Sequence, residues 1–92
     1  MKYLITRTDD FGSAGAANTA ILQSLQQGDY VKNVSCMAAS PCMESDAGEL
    51  YALRQQKKFC IGLHAVLNSE WEMVPFKSIL PPAKVPSLVD DQ

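Results

Sequence analysis

A chain of 92 residues, 47% hydrophobic and 20% charged, has the make-up of one globular domain and excludes collagenous, disordered and disulfide-scaffold classes. Its formal charge of −2, from eight basic and ten acidic residues, excludes a nucleic-acid footprint, and Lys57-Lys58 is too short a run to make a basic patch. A domain this small buries only about two-thirds of the surface its unfolded chain exposes, so single packing defects weigh heavily.

In chain order, polar and charged residues interrupt the start before a signal-peptide core can form. No apolar run reaches the roughly 18 residues of a membrane span. Tyr3 to Thr8 is apolar and β-branched and predicts a strand that stops at Asp9-Asp10. Ser13 is placed to cap a helix running to about Gln27, with Ala17, Ile21 and Leu25 on one face and Gly28 as its stop. Val34 to Ala39 predicts a second strand. Pro41 opens a second helix with Met43, Ala47, Leu50 and Leu53 as apolar positions, and Lys57 and Lys58 at its end suit the helix dipole. Phe59 to Ala65 predicts a third strand.

Residues 1–65 therefore read as βαβαβ, an α/β arrangement of parallel strands joined by right-handed helical crossovers. Parallel strands share a carboxyl edge, so Asp9, Asp10 and His64 are expected on one rim, the edge where α/β folds place their chemistry. Residues 66–92, broken by Pro75, Pro81, Pro82 and Pro86, read as a Pro-rich loop segment. Irregular stretches beyond about 12–15 residues are usually functional loops or linkers. With the third strand left as an unpaired edge, the sequence reads as cut and not finished. Three cysteines (Cys36, Cys42, Cys60) without Cys-x-x-Cys spacing are expected as reduced, mostly buried thiols in a cytoplasmic protein.

Adjacent carboxylates at a strand end have two readings. One can hold a cation while the other takes a proton from bound water, or both can sit in a solvated turn and cap backbone N–H groups. His64, the only histidine, is a ligand candidate on an apolar strand after Gly62, or a structural residue. A catalytic zinc site generally uses three protein ligands and keeps a position for water, and one aspartate of the pair with His64 supplies only two. Trp71, the only tryptophan, can stack on a sugar ring or anchor a loop. No second histidine completes a nucleophile triad, and Gly12-Ser13-Ala14-Gly15 matches neither the dinucleotide nor the P-loop pattern.

Thr8-Asp9-Asp10-Phe11-Gly12, then Asn18, then Ile61-Gly62-Leu63-His64, together with Ser69-Glu70-Trp71 and Val85-Pro86-Ser87-Leu88-Val89-Asp90, resembles the YdjC-like carbohydrate deacetylase family, which includes chitooligosaccharide deacetylases. The resemblance touches most of the chain. It implies a (β/α) TIM-barrel-like hydrolase of which the chain holds the first strands, with Asp10 and His64 as metal ligands and Asp9 as general base. The divalent metal implied is zinc or magnesium, and the substrate an N-acetylated sugar or oligosaccharide. The family's further histidine ligand lies in a His-rich motif beyond Gln92. Asn68 and Thr8 depart from the family's usual threonine and alanine and bear on substrate detail only.

The expected function is thus part of a metal-dependent hydrolase that deacetylates N-acetylated sugars, with weak metal binding and no meaningful turnover by the 92 residues alone. Two rivals stand beside it. One is a non-catalytic fragment whose open sheet edges drive homo-oligomers. The other is a magnesium-binding phosphoacceptor domain, which needs more strands and a later lysine.

Overall fold

The computed structural model describes residues 1–66 and 78–88. Three strands and two helices alternate: β1 (Thr8–Phe11), α1 (Gly15–Gln27), β2 (Asn33–Cys36), α2 (Met43–Gln56) and β3 (Cys60–Leu63). Two short 3₁₀ turns follow, Pro82–Lys84 and Pro86–Leu88. The strands are parallel in the order β1-β2-β3. Each new strand is added beside the last, as in (β/α) barrels. A phosphoacceptor domain of the flavodoxin-like type instead puts its first strand between the second and third. The observed order therefore favours the barrel-type reading of the sequence over that rival.

β1 lies further along the chain than the apolar run predicts. Tyr3, Leu4 and Ile5 are exposed and find nothing to pack on, whereas Phe11 is fully buried opposite Cys36. Burying Phe11 decides where the strand pairs. Thr8 aligns with Val34 and Phe11 with Cys36, so three steps on β1 match two on β2. The surplus residue makes a bulge at Asp9-Asp10, where Asp10 takes a left-handed φ of 67°. β2 and β3 are also shorter than expected and stay in unbroken register, with Asn33, Val34, Ser35 and Cys36 facing Cys60, Ile61, Gly62 and Leu63.

α1 starts later than Ser13 suggests. Ala14 holds the N-cap position without a side-chain cap, because Ser13 is drawn into the preceding turn, where its N–H donates to the Asp10 carbonyl at 3.1 Å. The buried stripe of α1 is Asn18, Ile21, Leu22 and Leu25, a 3.6-residue repeat in which Asn18 stands where Ala17 was expected. α2 buries Leu50 and Leu53. With Phe11, Val34, Cys36 and Phe59 these side chains form one core between the sheet and its helices. Each large apolar side chain contributes about 1.5–3 kcal/mol on burial. Cys36 belongs to this core, and burial pushes its thiol up from the ordinary value; Cys42 is half-buried and Cys60 exposed, so only one of the three free cysteines is buried as expected.

Lys57, expected to serve the end of α2, reaches instead across to α1. Its ammonium donates to the Leu25 and Gln26 carbonyls at 2.9 and 2.8 Å, two of the carbonyls that a helix C-terminus leaves unpaired. Lys57→Ala is expected to lower unfolding free energy by about 1–2 kcal/mol, while exposed Lys58→Ala stays within about 0.5 kcal/mol. Urea denaturation of the two variants checks the contrast, and equal midpoints contradict it. No helix among the described residues is long and apolar enough to cross a membrane.

Candidate metal centre

The carboxyl rim of the sheet is built by the turns after β1, β2 and β3. Asp10 enters it from the bulge and His64 follows the last residue of β3. The His64 N–H donates to the Cys36 carbonyl at 2.8 Å, which fixes the start of the side chain on β2. The result is a close approach: His64 Nδ1 stands 3.2 Å from Asp10 Oδ1, with the two side chains 31% and 35% exposed. The distance suits a hydrogen bond but the angle does not, and Nδ1 is a buried atom without a partner. Sequence reasoning placed this pair on one rim, and the structure brings it into contact.

An unpartnered nitrogen facing a carboxylate oxygen suits two donors of a cation site. Ligand atoms bound at about 2.0–2.2 Å, spread between right-angled and tetrahedral positions, stand about 3.0–3.5 Å from each other. Among the described residues no group of three His, Cys, Asp or Glu side chains surrounds this point. Asp10 and His64 therefore fit as a partial ligand set.

Asp9 takes a different direction. Its carboxylate meets the Arg7 guanidinium, with Nε 2.6 Å from Oδ1 and Nη2 3.5 Å from Oδ2. Both side chains are more than half exposed, so the pair contributes at most about 1 kcal/mol and opens readily. Asp9 and Arg7 line an open trough on the sheet, shared with Asn33, Ser35, Cys60 and Gly62. Trp71, expected at the mouth of the site, lies outside the described residues.

Two further residues shape the rim, and the burial of the first was not read from the sequence. Asn18 is fully buried, and its amide joins three segments: Oδ1 accepts from the Gly12 N–H at 2.6 Å, and Nδ2 donates to the Cys42 carbonyl at 2.9 Å and to Asp46 Oδ2 at 2.7 Å. A polar residue in phase with Ile21, Leu22 and Leu25 was the available signal. Gly12 has φ of 102°, and a Cβ there would lie 2.6 Å from Ser40 Oγ and 3.1 Å from the Met37 carbonyl oxygen. The Asp-Phe-Gly run thus ends β1 in a turn with little room at Gly12 for anything but glycine.

Comparison with known proteins bears on the family and the fold. None of the curated proteins matches the chain. A crystal structure from Enterococcus faecalis V583, named provisionally as a cellobiose-phosphate cleavage protein, is similar with 31% identity and a TM-score of 0.65 over 95% of this chain. The chain spans 31% of that protein's length. The YdjC-like protein family matches residues 3–92. That match runs from before the Asp9-Asp10 pair to the last residue, and the chain belongs to the YdjC-like protein family.

Proposed function

We propose that this chain supplies part of the metal-binding rim of a hydrolase that removes acetyl groups from N-acetylated sugars. The observation that carries it is the contact between Asp10 Oδ1 and the partnerless His64 Nδ1. Family membership and a relative named for a sugar phosphate support a carbohydrate substrate. Asp10 and His64 hold the cation, and an imidazole ligand favours zinc over magnesium, whose sites are built from oxygen. A bound divalent cation supplies Lewis-acid polarisation of the amide carbonyl and a more acidic water. Asp9, next to Asp10 and paired with Arg7 only at an exposed contact, is the group that takes the water's proton. The water oxygen bonds to the carbonyl carbon, the C–N bond breaks as the departing nitrogen takes up a proton, and acetate and a free amino sugar result. Trp71 stacks on a sugar ring in this reading, and the setting is cytoplasmic.

Asp9 and Asp10 are separable by experiment. Asp9→Asn is expected to leave zinc affinity within about threefold of wild type, while Asp10→Asn loses it, because removing a ligand outweighs the ~10–100-fold loss typical of changes around a site. Isothermal titration with zinc measures both. With two ligands among the described residues, the 92-residue chain is expected to bind zinc without enzyme-like acetate release from an N-acetylated chitooligosaccharide. Equal zinc affinity in the two variants refutes the division of roles, and rapid acetate release refutes the partial ligand set.

Self-association, with or without catalysis, is a second reading with its own observation. All four residues of β3 are exposed, Ile61 and Leu63 among them. An uncovered apolar edge strand pairs readily with another chain. Leu63→Lys is expected to shift light-scattering mass toward the monomer at concentrations where wild type forms dimers or larger species. A wild-type chain that stays monomeric throughout removes this reading.

A further inference from the structure

We propose that Asn18 and Asp46 are positioning residues, in that the buried amide, anchored on Asp46, pins the Gly12 turn and so holds Asp10 against His64. The inference rests on the metal-site reading for its purpose but not for its geometry. Asn18 occupies a position where an apolar side chain would continue the stripe of Ile21, Leu22 and Leu25. A polar group there is kept only if its hydrogen bonds are made, and all three of those described leave its own helix, one to Gly12 and two to the start of α2. Two of them meet the β1–α1 turn and the entry to α2; the third is to the carboxylate of Asp46 in the first turn of α2.

The turn that Asn18 holds is the one that aims Asp10. Asp10 has φ of 67°, a left-handed conformation that is uncommon for a residue with a Cβ, although aspartate adopts it more readily than most. Three backbone bonds flank it: Ser13 N–H to the Asp10 carbonyl at 3.1 Å, Met37 N–H to the Phe11 carbonyl at 2.9 Å, and Cys42 N–H to the Gly12 carbonyl at 2.9 Å. The Gly12 N–H is the remaining donor of the turn, and Asn18 takes it at 2.6 Å. Asn18 Nδ2 also reaches the Cys42 carbonyl, so one amide clamps Gly12 and Cys42, which are themselves bonded. The Asp46 carboxylate, a second acceptor beside the Cys42 carbonyl, holds Nδ2 turned toward α2 and so keeps Oδ1 toward Gly12.

His64 is the only histidine, so its ring C–H signals report the site without ambiguity. They are recorded for the metal-free chain at one pH where the ring is neutral, with Asp10→Ala as the reference for a ring that has lost its carboxylate. Asn18→Asp puts a carboxylate against Asp46 and is expected to move the signals toward that reference. The reciprocal swap, Asn18→Asp with Asp46→Asn, restores the donor–acceptor pair between positions 18 and 46 but not the donor to the Cys42 carbonyl, and is expected to return them part of the way. Zinc alone, titrated into the same proteins, is expected to bind about tenfold or more weakly in Asn18→Asp and measurably more tightly in the swap than in Asn18→Asp. Asp46→Ala keeps Asn18 in place and serves if Asn18→Asp does not fold; its ring signals are expected to move the same way by less. Ring signals that stay at the wild-type position in a folded Asn18→Asp or Asp46→Ala chain, whatever the loss in melting temperature, overturn the proposal. A wild type that binds no zinc while its variants shift the ring ends the metal reading and leaves the positioning claim standing.

Discussion

Gly12→Ala is expected to lower unfolding free energy by about 3 kcal/mol or more, a large part of what a domain of this size has in reserve. Two costs combine. A left-handed φ of 102° is strained for any residue with a Cβ, by about 1–3 kcal/mol. The new methyl would also lie 2.6 Å from Ser40 Oγ and 3.1 Å from both the Met37 carbonyl oxygen and Met43 Cβ. Ser40 cannot simply swing away, because it is buried and its hydroxyl donates to the Met37 carbonyl. Overpacking of this kind costs about 1–3 kcal/mol. Gly15, where an added Cβ meets nothing within 4 Å, is the control, and Gly15→Ala is expected to be neutral or slightly stabilising. Chemical denaturation of the pair measures the difference, and a Gly12→Ala chain as stable as Gly15→Ala contradicts the geometry of the turn.

Asp10→Ala is expected to weaken zinc binding by at least ~100-fold, with little loss of stability. The side chain is about one-third exposed, its only described ion-pair partner is His64, and no hydrogen bond of good geometry joins them. Removing the carboxylate therefore takes away a ligand but few packing contacts. Alanine tolerates the left-handed backbone at this position less well than aspartate, which adds a small loss of stability. His64→Ala is expected to match it in affinity. Zinc titrations at constant pH and ionic strength check both, and a variant that keeps wild-type affinity removes that residue from the ligand set.

The helices were legible because their burial follows a 3.6-residue repeat, and Ile21, Leu25, Leu50 and Leu53 all pack where that repeat placed them. The meeting of Asp10 and His64 was legible for a topological reason, as parallel strands bring their carboxyl ends to one edge. The start of β1 was not. Local strand propensity marked Tyr3 to Thr8, but pairing followed the burial of Phe11, a tertiary effect that local propensity does not report. The bulge at Asp9-Asp10 escaped for the same reason, since it arises from the register against β2. Lys57 was credited to its own helix because its partners, the Leu25 and Gln26 carbonyls, lie some thirty positions away. Arg7 went unremarked because an Arg-x-Asp spacing has no distinctive pattern until the strand aligns the two side chains.

The most direct test of the central claim is to add zinc to the metal-free chain and follow the ring signals of His64, with Asp10→Ala measured at the same concentrations. The account predicts that the wild-type signals shift and saturate while those of Asp10→Ala barely respond. Wild-type signals that do not move, or an Asp10→Ala chain that responds equally, would contradict a cation site built from these two residues.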